Sequence, residues 1–365
     1  SKGITAADVY DDSPREDGKG GYWPKNVGSY YGPSTVRQLL ERSSNVGAVK
    51  IGESLSSSPE QSINTMISYL QKMGFTTIVT RDQNSRVNDE NLSLTLGGMT
   101  KGLTPLEITS AYTAIANQGN QSRPIFFTRI ENSNGDIIFE NKNISKEITD
   151  PQTAYILTDM LRTAVLNGSG KQAKLSNITT AGKTGTTSDK KDAWFVGFTP
   201  YYTAATWIGT DMPTELSDGS AMSARLWKNV MEQVHKDLNN KEFSRPNGIT
   251  EVSICKLSGG LLTEACSRAG TATTELFKSG SAPTQYCEIH NDENTPIEEE
   301  LTDEDLFPDD ELLGDDQEDS DSLNNPNSNN GNGNPNNNPN SNNGNQNNQS
   351  PPPAGEDIVP IFDNP

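Results

Sequence analysis

The chain has 365 residues and a formal net charge of −20, but its charge is unevenly distributed. All 29 Lys and Arg residues lie between Lys2 and Lys278, a stretch that also holds 29 of the 49 acidic residues and is therefore neutral. A neutral domain has no basic surface to hold phosphates, which argues against nucleic acid as a partner. No apolar run approaches the roughly 18 residues of a membrane span, and no signal-like segment opens the chain.

Helix signals dominate the first 245 residues. Capping residues followed by apolar residues at helical spacing predict three helices, each of which begins with Pro directly after the cap. A fourth apolar-patterned segment follows the strands described below. The four predicted helices begin after Ser58, after Thr104, after Asp150 and at Ser223, and they end near Gly74, Ala116, Gly168 and Leu238.

Between the third and fourth helices the apolar pattern changes to the two-residue period of strands. The segments 179–187, 193–199 and 203–209 are joined by polar or Pro-containing turns, which predicts an antiparallel meander. Helices before and after sequential strands favour an α/β fold of the α+β type, a sheet covered by helices, over a parallel βαβ array.

The sequence divides into three predicted regions. Residues 1–245 form the main domain, and residues 250–291 form a small, strand-prone extension that contains all three cysteines. Residues 292–365 follow: Asp292 to Asp321 hold 16 acids and no base, and repeats of Asn, Pro, Gly and Ser come next. Such a composition buries too little apolar surface to offset the entropy of ordering, so we expect this tail to be disordered.

The most specific chemical motif is Lys183-Thr184-Gly185-Thr186-Thr187, which lies on the first predicted strand of the meander. A Lys, hydroxyl side chains and a Gly that admits a ligand to the backbone suit an anionic group at a strand edge. A second motif, Ser43-Ser44-Asn45, lies at a helix junction and offers a hydroxyl and an amide. Alone, each would most often be a helix cap or a solvated strand end.

Together, these motifs resemble the Ser-x-Asn and Lys-Thr-Gly motifs of the penicillin-recognising serine acyltransferases. The flanking segments 43–49, 97–107 and 192–200 are similar to the transpeptidase domain of class A, bifunctional penicillin-binding proteins. The resemblance implies a serine β-lactamase/DD-transpeptidase-like fold with a mainly antiparallel five-stranded sheet and a helical subdomain. It also implies a D,D-transpeptidase that cross-links peptidoglycan through D-Ala-D-Ala stem peptides and is inhibited by β-lactams.

The resemblance implies a role for each site residue. Ser43 would bridge Lys183 and the family's catalytic Lys and relay a proton to the leaving D-Ala nitrogen, and Asn45 would donate its amide to the acyl carbonyl. Lys183 would supply positive potential, while Thr184 and Thr186 would bind the terminal carboxylate and Gly185 would leave room for the substrate. The Thr186 N–H would form half of the oxyanion hole.

The family's nucleophile lies in a Ser-x-x-Lys helix, and this chain has two candidates for that pattern, 188–191 and 253–256. The first falls in a predicted turn and the second in a strand-like stretch, so neither places Lys one helical turn from Ser. We therefore expect the nucleophile upstream of Ser1 and expect the chain alone to be inactive. By the same resemblance, a glycosyltransferase domain and an anchor would precede it, on the outer face of the bacterial cytoplasmic membrane.

Alternative functions remain open at this stage. A β-lactamase-like hydrolase shares the motifs but needs a Glu suited to activating water, and the fragment could instead be a catalytically incomplete wall-binding module. Gly182-Lys183-Thr184 also mimics the end of a phosphate-binding loop, but a strand follows where that loop requires a helix. No cofactor is expected.

The three cysteines permit two interpretations. Cys255, Cys266, Cys287 and His290 could supply a zinc site, with Cys287 and His290 at ligand-like spacing. In an extracellular setting, a disulfide and one free thiol are slightly favoured, so no metal is expected and these four residues are kept as a weak candidate site.

Overall fold

The structure is a computed structural model that describes residues 3–142 and 144–290. The predicted disordered tail, 292–365, lies outside the described residues. The helices of the described part are α1 Val36–Arg42, α2 Asn45–Glu53, α3 Pro59–Lys72, α4 Pro105–Ala116, α5 Pro151–Leu166, α6 Ser220–Val234 and α7 Glu264–Arg268. Its strands are β1 Val9–Asp12, β2 Gly32–Thr35, β3 Asn120–Ser122, β4 Arg129–Glu131, β5 Ile137–Glu140, β6 Ser145–Glu147, β7 Ala181–Thr186, β8 Ala193–Phe198, β9 Thr203–Ile208, β10 Ile249–Cys255 and β11 Ala272–Lys278. Among these described helices, none has the length and apolar character needed to cross a bilayer.

The predicted helix starts at α3, α4 and α5 are confirmed, because each capping side chain accepts a backbone hydrogen bond from the first turn. Helix α6 begins and ends about one turn earlier than predicted. The helix begins at Ser220, after Gly219 with φ +49°, and it ends at Val234, with His235 as its C-cap. His235 is buried, and its ring hydrogen-bonds both Thr199 Oγ1 and the Met231 carbonyl, each at 2.8 Å. These hydrogen bonds hold His235 next to the end of β8, at the point where α6 ends, before the predicted Leu238.

The predicted meander is confirmed as a three-stranded antiparallel sheet with the order β7-β8-β9. The resemblance implies five strands, and in the described part this central sheet has three. The other strands pair as two-stranded ribbons, β1 with β2, β3 with β6, β4 with β5 and β10 with β11. The ribbons between residues 120 and 147 were not predicted, because each strand has only three or four residues.

Helices cover both faces of the central sheet. On one face, Phe195 packs edge-to-face on Trp227 of α6, with ring centroids 5.1 Å apart, and both side chains are fully buried. On the other face, Phe198 packs with Leu161 of α5 and Tyr112 of α4. Side chains alternate between the two faces of the sheet along β8, so this one strand contributes to the core on each face.

The helical subdomain has a separate core. Ile67, Phe75, Ile78, Leu94 and Ala111 are buried together, and they bring α3 and α4 into contact. The N-terminal end of this region, α1, packs against α5 of the sheet domain. Helix α1 therefore lies between α2 of the helical subdomain and α5 of the sheet domain.

The C-terminal extension is joined to α1 by a buried ion pair. The guanidinium of Arg37 donates to both carboxylate oxygens of Glu275 in β11, at 2.7 and 2.5 Å, and contacts Asp159 of α5 at 2.7 Å. Only 2% of the Glu275 side chain is exposed. A bidentate, desolvated pair is costly to break from one side, because the remaining charge stays buried.

Replacing Glu275 by Gln should therefore lower the free energy of unfolding by about 2–4 kcal/mol. Urea unfolding followed by circular dichroism measures this change. The matched control is Glu251→Gln at the exposed pair with Arg245, where we expect no measurable change. Equal stability of the Glu275→Gln and wild-type chains would show that the Arg37 pair does not fasten the extension.

Candidate active site

The residue Ser43 follows α1 in a left-handed conformation, with φ 58° and ψ 45°. This region is unfavourable for a residue with a Cβ by roughly 1–2 kcal/mol, and such residues are often found at functional sites. The turn is closed by hydrogen bonds from the Ser43 N–H to Leu40 and from the Ser44 N–H to Leu39. Ser43 thus lies at a sharp junction between α1 and α2, as the sequence predicts.

The next residues fix the start of α2. Ser44 accepts a hydrogen bond from the Gly47 N–H as the N-cap and donates to buried Asp12 at 2.5 Å. The Asn26 side-chain carbonyl accepts from the Asn45 N–H at 2.9 Å, and its amide donates to Asp12 at 2.8 Å. The hydrogen bonds that Asp12 and Asn26 make to this motif were not predicted, because both residues lie far before it in the sequence.

Asn45 is the first residue of α2. Its side-chain amide donates to the Lys25 carbonyl at 2.7 Å, and the side chain is partly buried. This contact holds the amide at the junction, one residue beyond the N-cap and two beyond Ser43.

Lys183 lies in β7, opposite Val196 of β8, on the same face of the sheet as Phe198. Its Nζ donates to Ser43 Oγ at 2.7 Å and to the Thr184 carbonyl at 3.1 Å. The structure therefore brings the two sequence motifs into direct contact. Burial lowers the pKa of Lys183 to about 8, because desolvation disfavours the charged ammonium.

The edge of β7 that faces away from β8 carries no strand in the described part. The Thr187 N–H donates to the Asp192 carbonyl, toward β8, at 3.1 Å. Successive N–H groups of a strand alternate between its two edges, so the Thr186 N–H points to the open edge. The Thr186 side chain is exposed beside this edge.

A loop after α5 supports the same strand. Thr184 Oγ1 donates to Ser169 Oγ at 2.9 Å, and the Ser169 N–H donates to the Glu41 carbonyl in α1. Gly168 permits this approach, since an added Cβ would lie 2.1 Å from the Glu41 oxygen. No motif in the sequence predicts this contact, because the loop and the strand are joined only through side chains.

Two tryptophans lie on the sheet beside this strand. Trp194 is partly buried and Trp207 is 42% exposed, and their rings lie 6.1 Å apart. Trp207 Nε1 donates to Asp192 Oδ1 at 2.9 Å, which holds the pair beside the hairpin. Trp194 lies opposite Gly185, whose added Cβ would be 3.2 Å from the Trp194 Cβ. An aromatic surface therefore flanks the Lys-Thr-Gly strand.

Neither Ser-x-x-Lys sequence lies on a helix that could present both side chains together. Ser188 begins an exposed turn between β7 and β8, in which Asp189 and Lys190 have positive φ. Ser253 lies within β10, where successive side chains point to opposite faces. These placements agree with the expectation that neither serine is the nucleophile.

The four residues of the weak metal candidate are adjacent in the structure. The ligand atoms of Cys255, Cys266, Cys287 and His290 all lie within 4.8 Å of one another, and all three thiols are unpaired. The disulfide that the sequence slightly favoured is therefore not formed in this structure. These residues lie in the C-terminal extension, outside the site around Lys183.

Family comparisons match most of the described chain. A model described as the penicillin binding protein transpeptidase domain matches residues 1–232. A second, described as the penicillin-binding protein 1A C-terminal domain, matches residues 245–292. The second match covers the extension with its three cysteines.

Individual proteins give the same result. Penicillin-binding protein 1A of Clostridium botulinum (strain Hall) is 37% identical over 304 residues, which are 80% of this chain and 35% of that protein. The crystal structure of penicillin-binding protein 1A from Haemophilus influenzae superposes with a TM-score of 0.63 at 24% identity, covering 78% of this chain and 46% of that one. The PonA1 protein of Mycobacterium tuberculosis in complex with penicillin V gives 0.58 at 22% identity, covering 67% and 68%. At these identities the structural likeness concerns the fold, and it confirms the predicted fold class.

Proposed function

The chain belongs to the penicillin-binding protein transpeptidase family, and we propose that it carries the Lys-Thr-Gly half of a peptidoglycan D,D-transpeptidase site. The observation that carries this proposal is the 2.7 Å hydrogen bond from Lys183 Nζ to Ser43 Oγ. It joins the Ser-x-Asn and Lys-Thr-Gly motifs, which lie 140 residues apart in the sequence. The chain spans 35% of the Clostridium botulinum relative, so the activity of a whole protein is part of the proposal.

The proposed reaction begins with attack of a serine Oγ on the penultimate D-Ala carbonyl of a stem peptide. The serine's proton passes to the neutral Lys of Ser-x-x-Lys as the Oγ–C bond forms, and the carbonyl oxygen becomes the oxyanion of a tetrahedral adduct. On collapse, the C–N bond breaks and the departing D-Ala nitrogen takes a proton through Ser43. Lys183 can replace that proton, since a pKa of about 8 leaves it mostly protonated at pH 7 but a ready donor.

The open edge of β7 suits the extended substrate. The Thr186 N–H faces this edge, where it would donate to the oxyanion, a contribution typically of about 3–4 kcal/mol. Gly185 has no side chain to obstruct a strand-like peptide lying alongside. The hydroxyl of Thr184 already donates to Ser169, which favours Thr186 over Thr184 as the main hydroxyl for the terminal carboxylate.

Asn45 would complete the opposite wall. Its amide lies at the start of α2, two residues from Ser43, and already donates one hydrogen to the Lys25 carbonyl. A side-chain amide has two N–H donors, so one remains for the acyl carbonyl of the substrate. The partly buried position of Asn45 allows that contact.

We further propose that the nucleophilic serine stands in a Ser-x-x-Lys helix outside this chain. The placement of Ser188 in an exposed turn and of Ser253 in a strand supports this. The working enzyme would then include a longer parent protein with a glycosyltransferase domain and an anchor, acting on the outer face of the cytoplasmic membrane. β-Lactams would bind as acylating analogues of the stem peptide, and the PonA1 protein forms a complex with penicillin V.

Labelling with a fluorescent penicillin tests the proposal. The 365-residue chain should remain unlabelled, whereas an extended chain, in which the parent gene's Ser-x-x-Lys segment precedes Ser1, should take up one label per molecule. Ser188→Ala and Ser253→Ala in the extended chain are controls that should label normally. Stable labelling of the shorter chain at either serine would overturn the placement of the nucleophile, and rapid nitrocefin turnover would indicate a β-lactamase instead.

A further inference from the structure

A second cluster of reactive side chains lies in the C-terminal extension, which the proposed transpeptidase reaction does not use. Cys255 ends β10, Cys266 lies in α7, and Cys287 and His290 follow β11. Three separate segments thus bring three sulfurs and one imidazole nitrogen within 4.8 Å of one another. Such convergence of soft ligands is typical of a structural metal site.

We propose that Cys255, Cys266, Cys287 and His290 together bind one Zn²⁺ ion in tetrahedral coordination. With Zn–S bonds of about 2.3 Å and a Zn–N bond of about 2.0 Å, the edges of the tetrahedron are about 3.5 Å from nitrogen to sulfur and about 3.8 Å between sulfurs. The His290 Nδ1 lies 3.4 Å from the Cys255 sulfur and 3.6 Å from that of Cys287. These two nitrogen-to-sulfur separations match the edge that one shared zinc ion requires, and the other ligand atoms lie within 4.8 Å of one another.

Neighbouring groups orient the sulfurs as in a preformed ligand set. The backbone N–H of His290 donates to the Cys287 sulfur at 3.4 Å. N–H donors of this kind stabilise the negative charge of a metal-bound thiolate. A disulfide sulfur would gain far less from them, because it is neutral.

The hydroxyl of Thr263 links two of the ligands. It caps α7, lies 3.1 Å from the Cys266 sulfur and donates to the His290 carbonyl at 2.7 Å. A disulfide would use only two of the sulfurs. The third cysteine and the neighbouring imidazole would then have no common role. A single zinc ion uses all four ligands, which is why we infer the metal site.

The proposed site is structural. Four protein ligands leave no open position for water or substrate, and the three cysteines are buried. The extension's apolar core is small, with Ile254 and Phe277 packed on Ala7. Segments of this size often need a metal or disulfides to stay folded. Zinc would therefore hold β10, α7 and the segment after β11 together.

The test measures zinc in the full 365-residue chain, purified with a non-thiol reductant and no chelator, then mixed with excess Zn²⁺ and desalted. Mass spectrometry of the metal should give about one zinc per chain. Cys266→Ser and His290→Ala should each lower this content at least tenfold. The neighbouring exposed Ser267→Ala is the matched control and should keep the zinc.

Cobalt substitution provides a second readout, independent of how well the variants fold. Co²⁺ bound to the wild-type chain should give thiolate-to-cobalt charge-transfer bands and the visible bands of tetrahedral coordination. A chain that retains less than a tenth of an equivalent of zinc overturns the proposal, as does one free thiol on denaturation of a chain purified without reductant, which indicates a disulfide. Preference for iron or copper would also overturn it. In the extended chain, Lys183→Met should slow acylation but keep its zinc, so the failure of either proposal can be distinguished from that of the other.

Discussion

Replacing Lys183 by Met in the extended chain should slow acylation by a fluorescent penicillin about 10³-fold while the fold remains intact. Met is similar in length but has neither charge nor proton to donate. The lost groups are the donor to Ser43 Oγ and the positive potential beside the open edge of β7. Stopped-flow labelling gives the acylation rate constant, and circular dichroism gives the fold.

The same variant should be more stable than the wild-type chain near neutral pH. Burial lowers the pKa of Lys183 to about 8 from an ordinary 10.5, so the folded state binds fewer protons than the unfolded state between these values. Wild-type stability therefore rises with pH from about 8 to 10.5, and the cost of the buried charge is fully present below pH 8. The Met variant avoids this cost, so it should be up to about 3 kcal/mol more stable than the wild-type chain at pH 7. This difference in stability should disappear above pH 10.5.

The control is Lys174→Met, which removes an exposed Lys near the same sheet. It should change neither acylation nor the pH dependence of unfolding. The wild-type acylation rate should also decline above pH 8, as Lys183 loses its proton. A Lys183→Met chain that labels at the wild-type rate would show that the Ser43–Lys183 contact has no catalytic role.

Local sequence signals predicted much of the fold. Ser58, Thr104 and Asp150 cap helices because their side chains accept hydrogen bonds from residues only three positions ahead, which can be read directly from the sequence. The meander was equally clear, since period-two strands with short turns pair with their neighbours. The end of α6 was misplaced because it depends on His235 reaching Thr199, a contact that the helix pattern does not reveal.

The motifs of the site could be predicted from the sequence, but the residues that hold them in place by hydrogen bonds could not. Ser43 and Lys183 were paired through a family resemblance, whereas Asp12, Asn26 and Ser169 act through contacts between segments far apart in the chain. No motif or periodicity marks a residue that supports another at such a distance. The cysteine cluster shows the same limit, because spacing alone left both a disulfide and a metal site open.

Replacing Ser43 by Gly in the extended chain should slow acylation about 10²-fold without destabilising the junction between α1 and α2. The wild-type serine has φ 58°, a conformation that Gly adopts without steric cost. The substitution thus removes the hydroxyl that accepts from Lys183 but keeps the backbone. Labelling kinetics and thermal unfolding of the same preparation measure the two effects separately.

Ser43→Ala provides the matched comparison, because it removes the same hydroxyl but retains a Cβ in the left-handed region. Both variants should lose acylation to a similar extent, although Ala should be less stable than Gly by roughly 1 kcal/mol. If the hydroxyl only shaped the turn, the Gly variant would label at the wild-type rate and the Ala variant would not. Equal loss in both, with unequal stability, would instead assign the effect to proton transfer between Ser43 and Lys183.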